Sequence, residues 1–293
     1  MSPAVDRPIR SALFVPAHRE GWVEKALAAV PGAVILDLED SVPAAERPAA
    51  REQVRAGIAT AATAGVTVTV SPNGWGSGEA EADLDACVVE GLDALLLPKV
   101  DGVGELEGFA RMLRPLERAR GLPTVALIVS LESALGYLHA AELALGPRVA
   151  GLFAVNAKGG DAQRDLGFRP TPSGLETLYY RSHAILAARA ARLRHILVGP
   201  WQEIRDLEAL REAAAFNRSL GFTGEAVIHP SNVAVVHEAY APTEEELEYN
   251  RGLIAAYEAA AAQGLGSTDY RGDHIDIAHY RTARQLLGED GAG

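Results

Sequence analysis

The sequence lacks the features of disulfide-stabilised, membrane-spanning and nucleic-acid-binding proteins. It has 1 cysteine, Cys87, so no internal disulfide can form, which favours a reducing compartment. No apolar run is long enough to span a bilayer, and the N-terminal segment MSPAVDRPIRS lacks the apolar core of a signal peptide. The formal net charge of -12 argues against duplex nucleic acid and anionic membranes as partners. We therefore expect a soluble, cytoplasmic protein that acts on small molecules.

The rest of the composition is that of an ordinary globular protein. The 293 residues are 48% hydrophobic and 23% charged, which is enough apolar material for a sizeable core. Cys87 falls within ADLDACVVEGL, an amphipathic helical pattern. That position predicts a buried structural thiol and not a nucleophile.

Short apolar segments alternate with longer segments of helical period. The predicted strands are 11–17, 33–39, 66–72, 94–100, 124–132, 151–157, 195–200 and 224–230. The clearest helices between them are 182–193 and 204–221. Strands that are apolar throughout are typical of a parallel sheet covered by helices. Eight such units predict an α/β protein with a (β/α)8 TIM barrel, and a doubly wound open sheet is the alternative.

The last part of the chain departs from this alternation. TEEELEYNRGLIAAYEAAAAQG predicts a helix with Thr243 as N-cap, followed by a glycine-containing hinge, a short extended segment and a final helix. The sequence therefore predicts two parts, a barrel domain over 1–240 and a helical extension over 241–293.

Charged and polar residues follow almost every predicted strand. Barrel enzymes build their sites at these C-terminal strand ends. In chain order the candidates are Arg19, Asp37, Glu39, Asp40, Ser71, Asn73, Lys99, Glu132, Lys158 and Asp161. Several carboxylates with a few cations around one mouth suit a hard divalent cation such as Mg2+, which prefers oxygen ligands. Nothing in the sequence has the Cys or HExxH pattern of a zinc site.

Two features of this mouth allow more than one interpretation. In DLED, Asp37 and Glu39 share one face of the strand, whereas Asp40 is either a candidate catalytic carboxylate or a cap of the loop. Lys99 is a candidate Schiff-base lysine, but an ion pair with Asp37 or Glu39 is favoured because acids are abundant nearby.

The order and spacing of several motifs resemble the citrate lyase beta-subunit-like family, with its malyl-CoA and citramalyl-CoA lyases, in the HpcH/HpaI aldolase superfamily. The motifs are RSALFVPAHR, VILDLEDSVPAAER, LLLPKV, SLESALG, DAQRDLGF, AVIHPSNVAVVHEAY and GDHIDIAHYRTARQLL. Together they cover about residues 10 to 287. The resemblance implies a TIM barrel with a C-terminal extension, and a homo-oligomer, trimeric or hexameric.

The resemblance also implies roles for individual residues. Glu132 and Asp161 match the family's magnesium ligands, and Asp276 matches a catalytic carboxylate that the C-terminal segment contributes to a neighbouring subunit. Asp276 is equally well suited to be the N-cap of the last helix. For CoA recognition, Arg19 is a candidate.

One departure from the family is chemically important. The family has an arginine at the end of its third strand, where this chain has Ser71, or Thr69 in a different alignment, and retains Asn73. A hydroxyl cannot replace a guanidinium electrostatically. Lys158, in NAKGGD, is the candidate for a replacement cation.

These observations lead to one expected function and its alternatives. The chain is expected to be a Mg2+-dependent carbon–carbon lyase that cleaves or forms a 3-hydroxy-dicarboxyl-CoA thioester, such as malyl-CoA or citramalyl-CoA, giving an acyl-CoA and a 2-keto acid. The alternatives are a CoA-thioester hydrolase, a CoA-independent aldolase, and a non-catalytic subunit of a lyase complex.

Overall fold

Eight parallel strands close into a barrel in the computed structural model, which describes residues 7–171 and 173–288. The strands are Ser11–Pro16 (β1), Ala33–Asp37 (β2), Thr67–Ser71 (β3), Ala94–Leu97 (β4), Ala126–Leu131 (β5), Val149–Val155 (β6), His195–Trp201 (β7) and Gly224–Val227 (β8). Each strand pairs with the next, and β1 pairs with β8 to complete the circle. The prediction of a TIM barrel is confirmed, and the open sheet is excluded.

Helices follow every strand of the barrel. They are Trp22–Leu27 (α1), Arg47–Thr63 (α2), Ala80–Cys87 (α3), Val103–Arg120 (α4), Ala134–Leu138 (α5), Ala140–Ala144 (α6), Asp161–Leu166 (α7), Leu178–Ala190 (α8), Leu207–Leu220 (α9) and Ser231–Tyr240 (α10). Short 3-10 helices precede α2, α3 and α8. The strands are buried on both faces because helices cover the outside and side chains fill the inside. This double burial explains why most of their positions are apolar.

The barrel interior is filled by small and large side chains at different heights. Alanines at 12, 33, 94, 126 and 226 lie beside Ile35, Leu96, Ile128, Phe153 and Leu197 in one buried cluster. The cavity that remains among them has a volume of only about 10 Å³. The barrel is therefore a packed core, and a substrate has to bind at its mouth.

Glu225 is a carboxylate buried between the strand β8 and the helices α9 and α10. It lies in β8 with 2% of its surface exposed, and it accepts hydrogen bonds from Asn217 Nδ2 at 2.5 Å and from the Tyr240 hydroxyl at 3.4 Å. Burial raises the pKa of Glu225 from 4.5 to about 7, although both hydrogen bonds oppose the rise. The pKa of Glu225 is higher in the folded state than in the unfolded state. Protonated Glu225 therefore contributes folding stability that is complete below about pH 4.5 and is lost as the pH rises through about 7.

Glu225→Gln is therefore expected to stabilise the protein in a pH-dependent way. Its effect on the free energy of unfolding should become more favourable by about 3 kcal/mol between pH 4.5 and pH 8, because glutamine has no charge to bury. Urea unfolding at several pH values measures this change, with the exposed Glu238→Gln as control. An effect that is the same at all pH values would contradict the prediction.

The chain divides after Tyr240 into two compact units, and the second unit begins at Ala241. This unit contains Glu244–Ala261 (α11), Ser267–Tyr270 (β9), Asp273–Asp276 (β10) and Ile277–Leu287 (α12). Thr243 caps α11 as predicted, in a capping box with Glu246. Part of the apolar face of α11 packs within its own unit, through Leu253 against Ile275 and Ala283.

The segment between these two helices is a hairpin, and not the single extended segment that the sequence predicts. β9 and β10 pair antiparallel, and the turn residues Arg271 and Gly272 have φ values of 50° and 96°. Positive φ at both central residues is the geometry of a type I′ turn, which suits the twist of a two-stranded ribbon. The strands have 4 residues each and are largely polar, so they carry no alternating apolar signal.

Cys87 is fully buried, as predicted, and burial raises the pKa of its thiol far above the usual range. Within the described part of the chain, no helix combines the length and the apolar character that crossing a membrane requires.

Candidate active site

The acids of DLED divide into two groups in the structure. Asp37, the last residue of β2, is 7% exposed, and its carboxylate accepts hydrogen bonds from the backbone N–H groups of Glu39 at 3.0 Å and Ser41 at 3.2 Å. Burial raises its pKa. Asp37 therefore shapes the loop after β2, whereas Glu39 and Asp40 both interact with Lys99.

Lys99 is the centre of a carboxylate cluster. Its Nζ lies 2.8 Å from Glu39, 3.0 Å from Asp40 and 3.2 Å from Asp161. The backbone of Lys99 has a φ of 53°, a left-handed conformation that costs a non-glycine residue roughly 1–2 kcal/mol. Although partial burial lowers its pKa, the neighbouring carboxylates raise it more, so the net shift is upward. A lysine held charged in this way is a poor Schiff-base nucleophile, and the ion-pair interpretation holds for Glu39.

Glu132 and Asp161 both contact Lys99, Glu132 at its backbone and Asp161 at its side chain. Glu132 follows β5, and its Oε1 accepts a hydrogen bond from the Lys99 backbone N–H at 3.1 Å. Asp161 begins α7 and pairs with Lys99 Nζ and with Arg164. Burial raises the pKa of Glu132, and the charge of Asp161 adds to the rise. Burial also raises the pKa of Asp161, but Lys99 and Arg164 lower it overall.

This pair of carboxylates fits a hard divalent cation. Both residues offer oxygen ligands. Burial and the charge of Asp161 disfavour the ionised form of Glu132, and a bound dication would offset both effects. In the described ranges, no group of three His, Cys, Asp or Glu side chains is arranged to hold a metal by itself. A cation bound at Glu132 and Asp161 would thus complete its coordination with ligands from outside the protein, as Mg2+ commonly does.

The end of β3 has no cation, and its polar residues serve the fold. Ser71 is buried, and its carbonyl accepts a hydrogen bond from the Leu38 N–H. Asn73 donates its side-chain N–H groups to the Leu38 carbonyl at 2.9 Å and to Asp83 at 2.7 Å. Asp83, which is 1% exposed, also accepts hydrogen bonds from the Asn73 backbone and, at 2.7 Å, from Arg51. The donors of Asn73 are therefore engaged inside the protein.

Two other predicted residues contact groups outside the carboxylate cluster. Lys158 is largely exposed and has its Nζ 3.3 Å from Glu203, and its role as the replacement cation stays a prediction. Arg19 is exposed and lies over the ring of Trp22, 5.8 Å from its centroid.

Asp276 belongs to the second unit. It caps α12 and accepts a hydrogen bond from Ala278 N–H at 2.9 Å. The hydrogen bond with His279 lowers its pKa.

Three charged residues beside the mouth were not predicted from the sequence. A cavity of about 300 Å³ lies at the ends of β2, β3 and β4, and its lining includes two of them, Arg47 and Glu105, together with Trp75 and residues of the cluster. The third, Asp83, holds the Asn73 loop. Arg47 follows DLED by seven residues, in DSVPAAER, and could have been noticed as a cation close to a strand end.

Comparison with known proteins agrees with this architecture. Residues 10–230 match the family model described as HpcH/HpaI aldolase/citrate lyase. A citrate lyase subunit beta-like protein of Deinococcus radiodurans is 36% identical over 291 residues, covering 96% of this chain and 97% of that protein. A (3S)-malyl-CoA thioesterase of Cereibacter sphaeroides is 33% identical over 282 residues, covering 96% and 94%.

A solved structure extends the similarity to three dimensions. The CitE protein of Mycobacterium tuberculosis, in complex with magnesium, acetoacetate and coenzyme A, superposes with a TM-score of 0.78 at 28% identity, covering 97% of this chain and 98% of that one. The predicted resemblance is thereby confirmed, together with the prediction of an enzyme of the lyase class. The chain belongs to the HpcH/HpaI aldolase/citrate lyase family.

Proposed function

We propose that this protein is a Mg2+-dependent carbon–carbon lyase acting on CoA thioesters of 3-hydroxy dicarboxylic acids, such as malyl-CoA or citramalyl-CoA. The observation that carries the proposal is the pair Glu132 and Asp161, two carboxylates joined through Lys99 at the mouth of the barrel. The magnesium in the CitE complex and the malyl-CoA specificity named for the Cereibacter relative support it.

The proposed reaction breaks the bond between the hydroxyl-bearing carbon and the carbon next to the thioester. The hydroxyl loses its proton and becomes the carbonyl of the keto acid, while the bonding electrons move into the thioester as an enolate. The enolate carbon then gains a proton and gives the acyl-CoA. When bound at Glu132 and Asp161, Mg2+ would supply Lewis-acid stabilisation and a template for the keto acid.

The chain's own residues have distinct parts in this proposal. Lys99 orients Glu39, Asp40 and Asp161 and offsets their mutual repulsion. Asp276, from a second copy of the chain, is the carboxylate proposed to exchange the proton with the enolate carbon. In the direction of bond formation it would remove a proton from the acyl-CoA carbon, and its lowered pKa favours the ionised form that this step needs. In cleavage the same carboxyl group would return that proton to the enolate carbon.

Hydrolysis of the thioester is the second candidate. The Cereibacter relative is named a thioesterase, and the strand β3 offers no guanidinium to an enolate oxygen. In that reaction water would replace CoA at the carbonyl, giving the free dicarboxylic acid and the CoA thiol.

A product assay distinguishes these candidates. The protein is incubated with malyl-CoA or citramalyl-CoA, with Mg2+ or with EDTA, and glyoxylate, pyruvate and free thiol are measured together. The proposal predicts one keto acid per acyl-CoA formed, no net release of thiol, and loss of activity in EDTA. Thiol without keto acid would indicate a thioesterase. The absence of both products would overturn both enzymatic functions.

We also propose that copies of the chain assemble, as Asp276 acting in a neighbouring site requires. Large apolar side chains are exposed on neighbouring helices of the barrel, with Leu138 76%, Leu145 75%, Tyr179 83% and Leu186 69% exposed. These lie in α5, at the end of α6 and in α8, and an apolar area of this kind commonly marks a protein interface. Light scattering on the purified protein tests whether it is trimeric, hexameric or monomeric.

A further inference from the structure

The cavity of about 300 Å³ beside the carboxylate cluster contains more charge than the proposed metal site uses. Its lining includes Glu39, Asp40 and Glu105 as acids, with Lys99 and Arg47 as cations. Such a volume accommodates a small part of a ligand, such as a thioester with the start of its pantetheine arm, and not a whole CoA molecule. The charges facing it therefore bear on which part of a substrate it binds.

All but one of these charged groups are hydrogen-bonded within the protein. Lys99 bonds with Glu39 and Asp40, so their charges compensate one another. Glu105 accepts a hydrogen bond from the Asp101 backbone N–H at 2.9 Å. The group with unused capacity is the guanidinium of Arg47.

Arg47 lies in the first turn of α2, and its side chain is 27% exposed. The nearest carboxylate oxygen, on Glu79, is 3.7 Å from Nη1, too far for a hydrogen bond. Glu79 is instead hydrogen-bonded by Arg51. The Nε of Arg47 is buried and has no hydrogen-bond partner in the part of the chain that the structure describes. Because Nε is closed to solvent, a ligand in the cavity would bind the terminal Nη groups, of which Nη1 lies 3.7 Å from Glu79.

We propose that Arg47 binds an anionic oxygen on the thioester side of the substrate, within this cavity. The inference rests on the proposed function, because a keto acid held at Glu132 and Asp161 would direct the thioester towards the neighbouring strand ends. Arg47 then supplies, from α2, the positive charge that β3 lacks. The oxygen belongs either to the thioester, which becomes anionic as the enolate forms, or to a phosphate of CoA.

Trp75 gives a binding signal that does not depend on activity. It lines the same cavity, is 42% exposed, and packs edge-on against Phe109. Tryptophan fluorescence is recorded during titration with CoA, with acetyl-CoA and with pyruvate, and Trp75→Phe identifies the part of the signal that comes from the cavity. Turnover of malyl-CoA and of a short thioester without phosphates is measured in parallel.

Arg47→Gln is expected to lower kcat for both thioesters by about 100-fold or more if the enolate oxygen is the partner. If a phosphate is the partner, the Kd of CoA alone should rise by about 10- to 100-fold, while turnover of the short thioester is unchanged. Arg47→Lys should recover part of either loss, because it keeps the charge and loses the fork of donors. Pyruvate binding should stay the same in all variants.

Two matched variants separate this role from a structural one. Glu79→Gln removes the carboxylate nearest to Arg47 and should leave thioester binding intact, and Arg111→Gln removes an exposed arginine of α4. Arg47→Gln and Arg47→Lys variants with wild-type turnover and wild-type CoA affinity would overturn the inference alone. A wild-type protein that neither binds nor converts any CoA thioester would overturn it together with the proposed function.

Discussion

Glu132→Gln is expected to reduce keto-acid release by about 1000-fold or more while leaving the protein folded. Glutamine has the shape of glutamate but no charge. Of the two negative charges that attract a dication, only that of Asp161 then remains. Lewis-acid stabilisation of this kind contributes several kcal/mol, and each 1.36 kcal/mol corresponds to tenfold in rate. The measurement is the rate of glyoxylate or pyruvate release at saturating Mg2+.

The same substitution should not destabilise the protein. Burial raises the pKa of Glu132, which means that the charged carboxylate is unfavourable there without a cation. A neutral glutamine can still accept the Lys99 N–H that Glu132 accepts at 3.1 Å. We therefore expect an unchanged or higher melting temperature in EDTA. Glu107→Gln, on an exposed position of α4, is the control and should keep wild-type turnover. Full activity of Glu132→Gln would refute the assigned metal ligand.

The second large effect is expected for Asp83→Ala, which should lower the free energy of unfolding by about 3–5 kcal/mol. The Asp83 carboxylate is 1% exposed and receives hydrogen bonds from Arg51 at 2.7 Å and from Asn73 at 2.8 Å and 2.7 Å. Alanine leaves these donors without a partner in a buried place. Urea unfolding of both proteins measures the loss.

Two comparisons make the Asp83 prediction specific. Asp85→Ala, two residues further along the chain and 61% exposed, should cost less than about 1 kcal/mol, because exposed ion pairs contribute little. Arg51→Met combined with Asp83→Ala should cost less than the sum of the two single substitutions, because the uncompensated charge is removed. Equal losses for Asp83→Ala and Asp85→Ala would show that the buried hydrogen bonds are not the cause.

The barrel could be predicted from the sequence because its strands carry a strong signal. Segments such as AVILD and ALIVSL are apolar at every position but one, and parallel strands buried on both faces have this pattern. The capped helix α11 was predictable for a similar reason, because Thr243 and Glu246 are three residues apart. The hairpin of β9 and β10 was not, because its geometry comes from two turn residues and its strands are polar.

The candidate site could be predicted only in part. Strand-end positions indicated that Glu132 and Asp161 belong to one mouth, but they did not indicate that Lys99 Nζ would lie 2.8–3.2 Å from three separate carboxylates. That arrangement depends on the left-handed backbone of Lys99, which local sequence does not predict for a lysine. Arg47 was missed because it comes from the start of a helix on the outside of the barrel and not from a strand end.

Crystals of the protein soaked with Mn2+ and pyruvate would test the central claim, that Glu132 and Asp161 hold the catalytic cation. Mn2+ has the same preference for oxygen ligands as Mg2+, and its anomalous scattering locates it directly. We predict one peak at the barrel mouth, bonded to an oxygen of Glu132, an oxygen of Asp161 and the bound pyruvate, and absent in Glu132→Gln. A mouth without Mn2+, or a peak bonded to neither carboxylate, would contradict the account.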